Sequence, residues 1–145
     1  PFLGDSEAAA LADGVLRIEG QVLDGDGEPV AEALLEAWDG DQFARCRTDP
    51  EGTFHFLVRR PPAGTFAGGR SEAPHLELTV FARGLLRQLA TRIYFPDEAA
   101  ANDADPVLGL VEPDRRDTLI ARAEGEVLRF DVRLQGARET VFFAL

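Results

Sequence analysis

Val15 to Leu23 alternates apolar and polar residues loosely and runs into Asp24-Gly25-Asp26-Gly27, where two glycines can take positive φ. A strand followed by a turn is expected there. The same alternation recurs over residues 33–38, 43–48 and 53–58, with Asp39-Gly40-Asp41 and Asp49-Pro50-Glu51-Gly52 between them. Four short strands punctuated by Asp, Gly and Pro point to a mainly β chain folded as an antiparallel β-sandwich, not to a βαβ sheet. The clearest alternation lies over residues 75–82. It places His75, Glu77, Thr79 and Phe81 on one face and Leu76, Leu78, Val80 and Ala82 on the other, and the purely apolar face is assigned to the core.

Other stretches break this rhythm. Residues 59–73 hold Pro61, Pro62, Gly64, Gly68 and Gly69 and read as a long irregular loop. A partner strand for 75–82 is expected over residues 88–95. Short helices are expected over 97–101 and 113–122, the second opening on Pro113 with Asp114 beside it. Strand patterning then returns over residues 127–134 and 139–143. The plan is one sandwich domain, residues 1–145, with a helical excursion before its last two strands.

Composition narrows the partners. The 145 residues carry 26 Asp and Glu against 15 basic residues, all Arg, for a net charge of -11. Residues 1–50 hold most of the excess, with 12 acids and 3 Arg. Such a surface repels phosphate backbones and anionic lipids, so neither nucleic acid nor a membrane is expected as a partner. No apolar run approaches the length needed to span a bilayer, and no leader is legible. The single Cys46 cannot form an internal disulfide, and a cytoplasmic location is expected. A chain that opens on Pro1 and holds no Met is expected to have further sequence ahead of it. Its apolar end, Thr140 to Leu145, reads as a surface for a subunit interface.

The scarce residues bound the chemistry: 1 Tyr, 2 His, 1 Cys and no Met. Ser6 and Ser71 lack a nucleophile-elbow context, which argues against a serine hydrolase. Cys46 lies between Arg45 and Arg47, but strand neighbours point to the opposite face, so it reads as an inert packed thiol. His75 and Glu77 share a strand face, and with His55 they match the composition of a 2-His-1-carboxylate metal site. Half-exposed polar positions on a sheet explain them equally simply.

Larger segments carry a resemblance. Trp38, Arg45-Cys-Arg-Thr-Asp49, Ala73-Pro-His-Leu76, Phe81-Ala-Arg-Gly84, Thr91-Arg-Ile-Tyr-Phe95, Asp105-Pro-Val-Leu108, Arg129 to Gly136 and Glu139 to Phe143 together resemble the intradiol ring-cleaving dioxygenases. Within them the resemblance is to the α-type chains of the two-subunit protocatechuate 3,4-dioxygenases. It implies a prealbumin-like sandwich and an enzyme that cleaves 3,4-dihydroxybenzoate with O2 to 3-carboxy-cis,cis-muconate. It also implies a ferric ion, Fe(III), held by two Tyr and two His, the two His forming a His-x-His pair on one strand face. Here that strand reads His75-Leu76-Glu77, and Tyr94 is the one tyrosine.

The resemblance therefore implies that Fe(III) belongs to a partner β subunit, that this chain supplies no catalytic residue, and that the two form a higher hetero-oligomer. It carries over Arg83, from Phe81-Ala-Arg-Gly84, as a substrate-binding residue, and Pro1 beside it. A fixed guanidinium suits a substrate that bears a carboxylate and reacts as a catecholate. Arg92 is the second candidate for that role, with an interface or structural Arg as its simpler reading. The connection over residues 39–44 is shorter than the family's, so the cleft wall it would supply is expected to be reduced. A non-catalytic prealbumin-like binding or scaffold module is the alternative.

Overall fold

The computed structural model describes residues 14–65, 67–82 and 88–144. Two sheets face each other. In the first, β1 (Val15–Leu23) lies between β4 (Thr53–Arg59) on one side and β10 (Val127–Arg129) on the other, with β9 (Arg122–Glu124) beyond β10 and β11 (Val132–Arg133) continuing along β1. In the second the order is β3 (Phe43–Arg47), β2 (Leu34–Trp38), β7 (His75–Phe81) and β8 (Leu89–Tyr94). Among the described residues no helix is long and apolar enough to cross a membrane.

Burial follows the alternation. Leu76, Leu78 and Val80 are fully buried and so are Leu35 and Ala37 of β2, while Phe54, Phe56 and Val58 of β4 close the core from the first sheet. Each large aliphatic or aromatic side chain contributes roughly 1.5–3 kcal/mol on leaving water. A second, smaller cluster holds Ala73, Tyr94, Leu108, Val111 and Leu119 under the helical excursion. The excursion consists of α1 (Ala99–Ala104) and two 3-10 helices, Leu108–Leu110 and Pro113–Leu119, the latter opening on Pro113 as expected.

The antiparallel sandwich expected from sequence is present, with one departure from antiparallel pairing. β1 pairs antiparallel with β4 but parallel with β10 and β11, because the chain crosses the second sheet and the helices before it returns. The expected single strand 127–134 is split at Phe130 and Asp131. There the Phe130 carbonyl sits over Gly20, where a Cβ would lie 1.7 Å from its oxygen, and the Phe130 N–H donates to the Glu19 carbonyl at 2.8 Å. The Gln21 N–H donates to the Asp131 carboxylate at 3.0 Å, which holds the kink.

Three more expectations change. The loop 59–73 contains a two-stranded ribbon, β5 (Gly64–Thr65) with β6 (Ser71–Glu72). The helix expected over 113–122 ends at Leu119 because β9 begins at Arg122. Residues 139–143 form no strand and make one bridge, Phe143 to Ala90. Side chains take the groups a ladder would use: the Val141 carbonyl accepts from Thr91 Oγ1 and the Val141 N–H donates to Thr118 Oγ1. The apolar tail packs partly within the chain, with Phe142 on the main core and Val141 and Phe143 on the smaller cluster, and all three stay half-buried.

Candidate functional site

The outer face of the second sheet carries the polar half of β7, and the register sets its neighbours. Glu77 stands between Trp38 of β2 and Arg92 of β8, and His75 stands opposite Tyr94. A cleft of about 750 Å3 opens over this row. Thr79, Ala90 and Arg92 line it along the sheet, Trp38 lies on one side, and Leu110, Val111 and Phe143 line it from the helical excursion and the tail. The Trp38 indole N–H donates to Thr79 Oγ1 at 3.4 Å and so holds its ring against β7.

Beside the cleft lies a network of charged groups. Arg92 Nη1 is 3.0 Å from Glu72 Oε2 and 3.0 Å from the Tyr94 hydroxyl, and its Nε is 3.3 Å from Glu77 Oε2. The Tyr94 hydroxyl donates to Asp105 Oδ2 at 2.9 Å. Asp105, 2% exposed, also accepts from the backbone N–H groups of Ala73, Val107 and Leu108 at 2.7, 3.0 and 2.9 Å. An Asp followed by Pro at the head of a 3-10 turn is a capping signal, and here the cap doubles as the anchor of the tyrosine.

His75 is doubly engaged. Its Nδ1 faces the Ala73 carbonyl at 2.8 Å and its Nε2 faces Glu77 Oε2 at 3.1 Å. Two acceptors require two N–H donors, so the imidazolium is the form this geometry favours. Burial pulls the imidazole down, but the hydrogen bonds to Glu77 and Ala73 outweigh it and leave His75 above its ordinary value of 6.5. Burial likewise disfavours the Arg92 cation, and Tyr94, Glu77 and Glu72 reverse that. Tyr94 moves up, chiefly through burial and further through Asp105, against the lowering effect of Arg92, so its phenol stays protonated.

The residues singled out from sequence separate. His75 and Glu77 do meet, but His55 does not join them. His55 projects from the outer face of β4 in the first sheet, opposite Glu19, while His75 and Glu77 project from the outer face of the second. The buried faces of both strands lie between them, so the three-residue metal set is corrected. Cys46 turns inward with Ala44 against the core, accepts a long hydrogen bond from the His55 N–H at 3.5 Å, and has Arg45 turned away to Glu36. Arg83 and Pro1 lie outside the described residues. The short connection after Trp38 is tied down by Asp39 and by Gln42, which exchanges hydrogen bonds with the backbone of Arg59.

Sequence reading passed over Glu72, Arg92 as the hub and Asp105. Glu72 was hidden in a loop full of Pro and Gly, and Arg92 shows as a hub only once the β7–β8 register is known. The Asp105-Pro106 dipeptide was the one local signal.

The ferric set implied by the resemblance does not fit this face. Both nitrogens of His75 are committed to acceptors, the histidine expected two residues on is Glu77, and the only tyrosine is a neutral phenol between Arg92 and Asp105. Among the described residues no group of three His, Cys, Asp or Glu could hold a metal ion.

No family model matches the chain. It is 43% identical over 160 residues to the protocatechuate 3,4-dioxygenase alpha chain of Burkholderia cepacia, covering 94% of this chain and 80% of that one. The alpha chain of Pseudomonas putida is 41% identical, covering 86% and 73%. The Burkholderia cepacia beta chain is 30% identical, covering 85% and 65%. Among solved structures, the dioxygenase domain of a dioxygenase and carbohydrate-binding protein fusion from Streptomyces sp. SirexAA-E aligns with a TM-score of 0.62 at 25% identity, covering 85% and 80%. Hydroxyquinol 1,2-dioxygenase from Pseudomonas putida DLL-E4 shares the fold with a TM-score of 0.61 at 22% identity, covering 82% and 55%. On the length and identity of these matches, the chain belongs to the protocatechuate 3,4-dioxygenase alpha-chain family of the intradiol dioxygenases.

Proposed function

We propose that this chain is the non-iron α subunit of a protocatechuate 3,4-dioxygenase, which cleaves 3,4-dihydroxybenzoate with O2 to 3-carboxy-cis,cis-muconate and acts only when joined to a β-type chain. The observation that carries the reading is the ordering of identities: 43% and 41% to two alpha chains against 30% to a beta chain. Intradiol dioxygenases are iron enzymes, and a chain with one Tyr and two His cannot supply two of each from this face. We therefore assign the iron to the β partner. Arg83 and Pro1 are the residues of this chain we assign to substrate binding, the Arg83 guanidinium to hold the carboxylate of the anionic ring. Assembly is proposed to be a higher hetero-oligomer in the cytoplasm, which a single cysteine suits.

Co-expression with a β-type chain tests this. Iron, a visible tyrosinate-to-iron absorbance and O2-dependent ring cleavage are expected in the co-purified complex and not in this chain alone. Stoichiometric iron with full activity in this chain alone would overturn the reading.

A further inference from the structure

Arg115, in the 3-10 helix Pro113–Leu119, lines the cleft over the second sheet, and among the described residues no carboxylate pairs with its guanidinium. Its Nη2 donates to the Glu139 carbonyl at 2.6 Å, a neutral acceptor, and its buried Nε has no hydrogen-bond partner. A half-buried guanidinium left in this state is costly, and a chain with 26 acids to 15 Arg had carboxylates to spare for it. We infer that the cleft is a binding site for a small monocarboxylate with an apolar body, held by Arg115. The site is built from this chain's own residues and stands whether or not the subunit reading above holds.

The walls select the body of the ligand. A cleft of about 750 Å3 falls in the range of about 300–1,000 Å3 usual for small-molecule sites, which are lined mainly by apolar side chains with a few placed polar groups. Trp38 lies on one side, with Val107, Leu110, Val111 and Phe143 among the apolar side chains that line the rest. Leu110 is 84% exposed and Trp38 39%, so an apolar body seated between them removes surface from water that the fold itself leaves wet.

Charge selects the other end. Arg92 also lines the cleft, but Glu72 and Glu77 already neutralise it, and Glu77 is shared with His75. Glu112, the other acid on the wall, is exposed and screened by water. Arg115 is the cation with charge left over, and it is held in place beforehand. Its backbone N–H donates to the Glu112 carbonyl at 2.8 Å, its own carbonyl accepts from Thr118 Oγ1 at 2.9 Å, and Nη2 is tied to Glu139. A fixed guanidinium matches the plane of a carboxylate, and one negative charge balances one positive charge. A dicarboxylate would bring a second charge against apolar walls.

Benzoate binding by the purified full chain is the test. Trp38 is the one tryptophan, so its fluorescence reports on the cleft wall. Benzoate is expected to change it saturably, and benzamide, of the same shape without the charge, to bind about tenfold more weakly or worse. Arg115→Met and Leu110→Glu are each expected to weaken benzoate binding by about tenfold or more. The first removes the cation, and the second sets a like charge on the cleft wall at an exposed position that folding does not need. Circular dichroism checks both folds, and if Arg115→Met does not fold, Leu110→Glu decides. No saturable response to benzoate, an equal response to benzamide, or an unchanged benzoate affinity in either folded variant overturns the inference. So does a Trp38 signal that follows protein concentration and not benzoate, which would seat a second copy of this chain in the cleft.

Discussion

Glu77 and Arg92 face each other across the β7–β8 pair with the carboxylate oxygen 3.3 Å from the guanidinium Nε, and the same carboxylate oxygen is 3.1 Å from His75 Nε2. One acidic side chain therefore joins two cations on neighbouring strand positions, and its loss would leave both without their shared counter-charge.

The protonated state of His75 makes stability depend on pH in a defined direction. Folding raises its pKa above the ordinary 6.5, so the stabilisation is fully present below that value and is lost as pH rises through the folded-state pKa. The thermal midpoint of the chain should fall between about pH 6 and about pH 8.5 by more than that of His75→Gln, which cannot titrate. Parallel pH profiles for the two proteins would show that the imidazolium adds nothing.

Gly20 is required by a backbone approach. A Cβ there would stand 1.7 Å from the Phe130 carbonyl oxygen and 2.8 Å from the Phe54 ring, so Gly20→Ala must push apart β1 and the kink between β10 and β11. The expected cost is on the order of 3–5 kcal/mol, visible as a lower urea midpoint. Gly27→Ala is the contrast: its φ of 79° is strained for alanine but nothing lies within 4 Å of the added carbon. That variant should cost about 1 kcal/mol.

Tyr94 and Asp105 should differ in what their removal leaves behind. Tyr94→Phe deletes a hydroxyl that Arg92 and Asp105 share, while Asp105 keeps three backbone donors, so a loss of about 1–2 kcal/mol is expected. Asp105→Ala strips partners from the Ala73, Val107 and Leu108 N–H groups together and should cost about 3 kcal/mol or more. Denaturant titration of the two variants separates these; equal losses would contradict the capping role given to Asp105.

Arg83 is testable in the assembled enzyme. Arg83→Ala should raise KM for 3,4-dihydroxybenzoate and lower kcat/KM roughly tenfold to a hundredfold, the range expected for loss of a charged hydrogen bond. A catechol without the carboxylate should be affected much less. Unchanged kinetics with both substrates would remove Arg83 from the substrate site and favour the scaffold alternative.

What sequence alone determined here is local periodicity. β1 was legible residue for residue as Val15–Leu23, and the face of β7 that enters the core was fixed by two-residue alternation, because each side chain's burial depends only on which side of the pleat it takes. The shortage of Tyr and His was also visible at once, since counting needs no geometry. Tertiary structure decided what lies opposite what. The parallel pairing of β1 with β10 and β11 joins residues more than a hundred positions apart, and no local pattern encodes which strand edge will receive them. Arg92 read as an interface or structural arginine without a partner named, until the register set it against Glu77 and brought Glu72 to it from a loop. His55 looked like a companion of His75 for the opposite reason, because composition records which groups exist and not that two sheets stand back to back between them.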